Sequence, residues 1–130
     1  MSITQVKEVA LYVKDLYKAK EFYHGLLEFP IIGMVDGRHI FFRVGSTVLL
    51  CFIAESTQND TTLPPHFGYG QQHIAFEVPA IDYDSWKVKI SQLGIEIIHE
   101  HQWQEGVKSF YFKDNDEHIL EIIPEKMWGF

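Results

Sequence analysis

A single cysteine among 130 residues leaves no disulfide within the chain. That residue, Cys51, lies in the apolar run Val48-Leu49-Leu50-Cys51-Phe52-Ile53, where it reads as a small buried hydrophobe. Long apolar runs are missing too. No stretch approaches the length of a membrane span, and the segment Met1 to Val9 lacks the apolar core of a signal peptide, so a cytoplasmic protein is expected. Positive charge is scarce and scattered: 11 Lys and Arg stand against 18 Asp and Glu, for a formal net charge of −7. A chain this acidic is repelled by phosphate backbones and by anionic lipid, which argues against nucleic-acid and membrane partners.

What is present is an ordinary globular composition, 46% apolar and 22% charged, at a length suited to one domain. Aromatic residues reach 15%, including ten Phe. Such a load suits a broad packed sheet or a ring-lined pocket.

Residues Val6 to Val13 alternate as a strand, with Val9, Leu11 and Val13 on one face and Glu8, Ala10 and Tyr12 on the other. Asp15 is placed to cap a helix in which Leu16, Ala19, Tyr23, Leu26 and Leu27 recur at helical spacing, to about Glu28. Strands are then expected over Ile31 to Val35, His39 to Val44 and Val48 to Ala54, parted by the turn signals Asp36-Gly37 and Gly45-Ser46. A polar, Pro- and Gly-punctuated connector covers residues 55–70. After it the order repeats. A strand from His73 to Val78 leads to a helix capped by Asp82 that carries Trp86, Ile90 and Leu93 on one face and ends at Gly94. Strands follow at Ile95 to His99, Lys108 to Lys113 and Ile119 to Ile123.

The halves also align by residue. Glu8-Val-Ala-Leu-Tyr-Val lies over His73-Ile-Ala-Phe-Glu-Val, and, with one residue inserted, Leu26-Leu27-Glu28-Phe29 lies over Gln92-Leu93-Gly94-Ile95. The fold expected is therefore α+β: two tandem βαβββ units, about 5–54 and 71–124, with a C-terminal tail over 125–130, in one domain. Copies of a short unit bury their apolar faces by packing together, which suggests a curved, cup-shaped mixed sheet with the helices outside.

This superposition makes Glu8 and His73 equivalent, both pointing away from the helix-covered face. Glu121 interrupts the apolar strand His118-Ile-Leu-Glu-Ile-Ile-Pro, and a buried carboxylate is costly unless it is paired or holds a metal. If strand order gathers these three, two carboxylates and an imidazole balance a divalent cation and leave positions open for water and substrate. Each also has a plainer reading: a solvated strand residue for Glu8, a satisfied core histidine for His73, an alternating half-wet strand for Glu121.

The segment Ser109-Phe-Tyr-Phe-Lys-Asp-Asn-Asp-Glu-His-Ile-Leu-Glu121, taken with Glu8-Val-Ala-Leu-Tyr-Val-Lys-Asp-Leu and the helix Ala19-Lys-Glu-Phe-Tyr, resembles the vicinal oxygen chelate superfamily. That group includes glyoxalase, fosfomycin-resistance thiol transferases, extradiol dioxygenases, methylmalonyl-CoA epimerase and bleomycin-binding proteins. Gly37-Arg-His-Ile-Phe-Phe-Arg-Val-Gly, Pro64-Pro-His and Pro124-Glu-Lys-Met-Trp-Gly resemble a glyoxalase-like subgroup. The resemblance implies a divalent ion (Zn, Ni, Mn, Fe or Co) on Glu8, His73 and Glu121, a small oxygen-bearing substrate, lyase, isomerase or thiol-transfer chemistry, and a homodimer. Glu8 or Glu121 then serves as the base, with a metal-bound hydroxide as the alternative. Tyr111 is a candidate substrate contact, equally readable as a half-buried strand residue; Arg43, His66 and Trp103 are candidates on looser grounds, for each of which surface or packing is the stronger reading.

Departures from the family pattern prune this list. Glu8 stands where His is common, only Leu50 and Cys51 lie near the place of a fourth ligand, and Asn115 and Glu117 replace the usual proline and glycine of the last turn. Glu8 does not match the two-His set of extradiol dioxygenases. Ala10 stands where fosfomycin enzymes carry threonine, and their phosphonate-binding arginine has no counterpart in the tail. A metal-free binder of the bleomycin-sequestering type is the second reading. His99-Glu-His101, with Glu105 beyond it, comes near a cupin metal pattern, but two helices interrupt the required run of strands, so an exposed edge strand is expected there.

Overall fold

The computed structural model describes residues Met1–Phe130, which divide into two units at Gly70 and Gln71. The first contains strand β1 (Glu8–Tyr12), helix α1 (Leu16–Ala19) continuing into a π-helical stretch (Lys20–Leu26), strands β2 (Ile31–Val35), β3 (His39–Val44) and β4 (Thr47–Phe52), and the single-turn helix α2 (Ala54–Thr57). Its sheet has the order β1-β4-β3-β2, with β1 parallel to β4 and the other pairs antiparallel.

Asp15 caps α1 as expected. Its Oδ1 accepts the N–H groups of Tyr17 and Lys18 at 2.9 and 3.1 Å, two donors that the first helical turn leaves without partners. The wider π spacing shows in the N–H of Leu27, which reaches the carbonyl of Phe22 at 3.1 Å. Leu16, Ala19, Phe22, Tyr23 and Leu27 are buried on this helix, opposite Leu11, Ile40, Phe42, Leu49 and Cys51 of the sheet. Tyr23 packs on Phe42 with ring centroids 5.5 Å apart. Each Leu, Ile or Phe among them contributes about 1.5–3 kcal/mol on leaving water.

The second unit repeats the plan: β5 (His73–Val78), a 3₁₀ turn (Ala80–Asp82), α3 (Tyr83–Gln92), β6 (His99–Gln104), β7 (Val107–Lys113) and β8 (Ile119–Pro124). Its sheet order is β5-β8-β7-β6, with β5 parallel to β8. Ile90, Phe110, Phe112, Leu120 and Ile122 form its core under α3. The helices of the two units end alike: Glu28 and Gly94, aligned in the repeat, both adopt the left-handed conformation, at φ 63° and 80°. The α+β architecture of tandem βαβββ units is thus what the chain forms.

Two local expectations need correction. No strand covers Ile95 to Ile98; β6 begins at His99, and residues 95–98 are irregular, tied by the N–H of Ile98 to the carbonyl of Tyr111 at 2.8 Å. The apolar residues of 95–98 drew the strand too early, whereas the real strand is polar because it is an exposed edge. Asp82 makes no side-chain capping bond, since it closes a 3₁₀ turn whose helical backbone runs on into α3.

Candidate metal and substrate site

The site in the second unit depends on a turn that contains neither proline nor glycine. Asp114 Oδ1 accepts the N–H groups of Asp116 and His118 at 2.8 and 2.9 Å, and the backbone of Asp114 bonds that of His118 at 3.1 Å. Glu117 supplies the left-handed residue, with φ 66°. The turn hands the chain to β8 in a fixed phase. The N–H of Ile119 then donates to the carbonyl of Gln72 at 2.8 Å, and the register pairs His73 with Ile119 and Ala75 with Glu121.

Because side chains alternate along a strand, this register places His73 and Glu121 on the same face of the sheet, opposite the buried face of Leu120 and Ile122. His73 Nε2 lies 3.2 Å from Glu121 Oε1. Its other ring nitrogen, Nδ1, donates to the carbonyl of Ile119 at 2.9 Å. With the Nδ1 proton committed to that carbonyl, a neutral imidazole turns the lone pair of Nε2 toward the carboxylate. Two acceptors then face each other, an arrangement that requires a cation between them, either a second proton or a metal ion. The separation is that of an imidazolium–carboxylate hydrogen bond and suits a metal equally: ligand bonds of about 2.0–2.2 Å at roughly tetrahedral or octahedral angles put donor atoms about 2.9–3.5 Å apart. A carbonyl on the far nitrogen is the usual support of a ligating histidine. Glu121 is buried while the His73 side chain is half exposed, and Glu121 Oε2 is a buried oxygen with no hydrogen-bond partner. A cation held by His73 and Glu121 would satisfy that orphan as well as the facing pair.

The same face continues across the sheet. Tyr111 pairs with Glu121, and His99 with Tyr111, giving one row across three strands. The Tyr111 ring stacks with His73 at 6.1 Å and approaches His99 at 5.9 Å. Burial pushes its phenol pKa up and the Glu121 carboxylate adds to this, while the Ser109 hydroxyl opposes them, so the phenol is held as a neutral donor. Trp103 Nε1–H donates to the Oγ of buried Ser109 at 2.9 Å, which fixes an otherwise exposed indole on this face.

In the first unit Glu8 is exposed, in register with Val48, and Val48 pairs in turn with Arg43. Arg43 Nε donates to the carbonyl of Gly45 at 2.9 Å. Leu50 occupies the place that Glu121 holds in the second unit, since it pairs with Ala10 as Glu121 pairs with Ala75. Around it is an aromatic face: His39 stacks on Phe41 at 4.0 Å, and Phe41, Tyr12 and the His66 ring approach Phe52 at 5.6, 6.2 and 5.5 Å. Burial, then the neighbouring Arg38 guanidinium, lower the His39 pKa and keep that ring neutral.

Of the residues expected from sequence, His73, Glu121 and Tyr111 share one surface of the second unit with Trp103, while Glu8, Arg43 and His66 belong to the first. Neither unit by itself gathers three or more His, Cys, Asp or Glu side chains at metal-binding distance. His99, read as an exposed edge residue, is indeed exposed, yet it lies in the row of Glu121. The even alternation His99, His101, Trp103 was the available signal for that face.

Residues 5–122 match the family described as the Glyoxalase/Bleomycin resistance protein/Dioxygenase superfamily. The chain is 28% identical over 127 residues to the fosfomycin resistance protein FosX of Listeria innocua, covering 92% of this chain and 89% of that one. It is 25% identical over 123 residues to the metallothiol transferase FosB of Shouchella clausii, covering 92% and 80%. Among solved structures, lactoylglutathione lyase from Agrobacterium tumefaciens superposes with a TM-score of 0.95 at 29% identity, with full coverage of both chains. A mutant FosX from Listeria monocytogenes, in complex with Mn(II) and 1S,2S-dihydroxypropylphosphonic acid, gives a TM-score of 0.70 at 27% identity and covers 94% of this chain and 90% of that one. Repeat, register and family match agree: the chain belongs to the glyoxalase, bleomycin resistance and dioxygenase superfamily.

Proposed function

We propose that this protein is a metal-dependent glyoxalase-like enzyme acting on a small oxygen-bearing substrate, with His73, Glu121 and Glu8 as its ligands to a divalent cation. The observation that carries the reading is the convergence of His73 Nε2 and Glu121 Oε1 at 3.2 Å, with the far imidazole nitrogen committed to a carbonyl and the second carboxylate oxygen buried without a partner. Glu8 is the first-unit equivalent of His73 and is assigned as the third ligand on that ground. The relatives support a metal as well, one being a metallothiol transferase and another a FosX bound to Mn(II). When bound, the cation supplies Lewis-acid stabilisation to negative charge developing on substrate oxygens.

The residues of the chain supply the rest. The neutral phenol of Tyr111 donates to a substrate oxygen beside Glu121. Glu8 or Glu121 takes the proton that isomerase or lyase chemistry must move, since a carboxylate is the available base on either strand. Trp103, Arg43 and His66 are assigned to substrate contacts. The same reading makes the protein a cytoplasmic homodimer, and no helix is long and apolar enough to cross a membrane. Fosfomycin chemistry ranks below glyoxalase-type chemistry because Ala10 stands where those enzymes carry threonine.

A second reading, a metal-free binder of drug-like molecules, draws support from the aromatic face of Tyr12, Phe41 and Phe52 in the first unit. Elemental analysis of protein purified without chelator separates the two. Stoichiometric divalent metal, lost in Glu8→Ala, His73→Ala and Glu121→Ala, is expected of the enzyme. A folded wild-type protein that takes up no metal sinks it and leaves the binder.

A further inference from the structure

The edge strand β6 carries two imidazoles, separated by one residue, that the proposed centre does not use. His99 and His101 project on the same side of the strand, and His99 Nε2 lies 3.4 Å from His101 Nδ1. Both residues are exposed. Neither ring is free to wander: His99 lies against Tyr111 at 5.9 Å, and His101 meets Trp103 edge-on at 4.6 Å. Trp103 is itself tied to buried Ser109. The two ring nitrogens are thus held close together by packing on their own neighbours.

We propose that His99 Nε2 and His101 Nδ1 form a second, solvent-facing metal site that takes a borderline transition-metal ion such as Cu(II), Ni(II) or Zn(II). Two imidazole nitrogens bound to one ion at about 2.0–2.1 Å stand about 2.9–3.4 Å apart, which is the separation present. For their contact to be attractive without metal, at least one nitrogen must present a lone pair to a proton on the other. A cation replaces that proton and uses both lone pairs. Imidazole donors select this class of ions over magnesium and calcium, which prefer oxygen. Glu100, between the two histidines, does not join them. It faces the opposite side, where its carboxylate accepts Lys87 Nζ–H at 2.9 Å and Tyr83 O–H at 2.9 Å. No third His, Cys, Asp or Glu completes a cluster, so water fills the remaining positions and the ion stays exchangeable. The acidic chain, at a net charge of −7, concentrates cations around such a site.

The test is a Cu(II) titration of untagged, full-length apoprotein, read by equilibrium dialysis with elemental analysis and by histidine-ring NMR broadening. Wild-type protein is expected to take up about two equivalents, with His99→Gln and His101→Gln each losing one. Both substitutions lie on the surface, and an unchanged thermal midpoint verifies the fold. Glu121→Gln should lose the other equivalent and keep broadening at His99 and His101. Wild-type protein whose single equivalent is abolished by His99→Gln but not by Glu121→Gln supports this site and removes the His73–Glu121 centre. Uptake unchanged in His99→Gln and His101→Gln, with no broadening of the His99 and His101 rings in wild-type protein, overturns the proposal whatever becomes of the other centre.

Discussion

The imidazole of His118, 1% exposed, accepts the backbone N–H of Gln72 at its Nδ1, 3.0 Å away. This contact joins the residue before β5 to the residue before β8, and so sets the strands that carry His73 and Glu121 side by side one position ahead of His73. Replacing His118 by Phe leaves that N–H without its acceptor, at a cost of about 1–3 kcal/mol. Urea denaturation should show a lower midpoint with unchanged slope, and metal uptake should fall with it. A midpoint equal to wild type refutes the structural role.

Glu117 holds φ 66° where a glycine carries no steric penalty. Glu117→Gly should stabilise the protein by roughly 0.5–1 kcal/mol, the left-handed strain relieved being larger than the added freedom of the unfolded chain. Gly94→Ala, at φ 80°, should destabilise it by about 1 kcal/mol. Paired thermal melts of the two variants, moving in opposite directions, check both.

Alkaline stability should fall on Tyr83. Burial, followed by its hydrogen bond to Glu100, raises the phenol pKa far above the ordinary value of 10.0. A folded pKa above the unfolded one gives stability that is complete below pH 10.0 and is lost as pH climbs from there toward the folded value. Urea midpoints measured from pH 9 to 11, about one unit either side of the unfolded phenol, should decline in wild type and less steeply in Tyr83→Phe. Parallel slopes in the two proteins contradict the assignment.

Cys51 is fully buried on β4. A thiol reagent should leave it unmodified in the native protein and label it only as fast as the first unit opens. Labelling that is rapid in buffer and insensitive to urea disproves the burial.

The positions of most strands and helices along the chain were legible because the apolar residues keep their periods: Val9, Leu11 and Val13 for a strand, Leu16, Ala19, Tyr23 and Leu27 for a helix. The equivalence of Glu8 and His73 was legible from the repeat alone. The start of β6 was not, because an exposed edge strand such as His-Glu-His-Gln-Trp-Gln has no core face to produce alternating hydrophobicity. Nor was the orphaned oxygen of Glu121, which depends on the parallel register of β5 with β8. That register is set by His118 and Gln72, side-chain and backbone partners far apart in sequence. Local pattern carries information about period and little about which distant strands become neighbours.

In the second unit His73 and Glu121 come from the strand that opens it and the strand that closes it. An ion held between them, as proposed above, would cinch the whole intervening segment, α3 and the β6–β7 hairpin included, into a closed loop held by a noncovalent clasp. Loading the protein with divalent metal should then register far from the ion, as slowed amide exchange throughout this half, and stripping the metal should loosen the half as a body rather than at one corner.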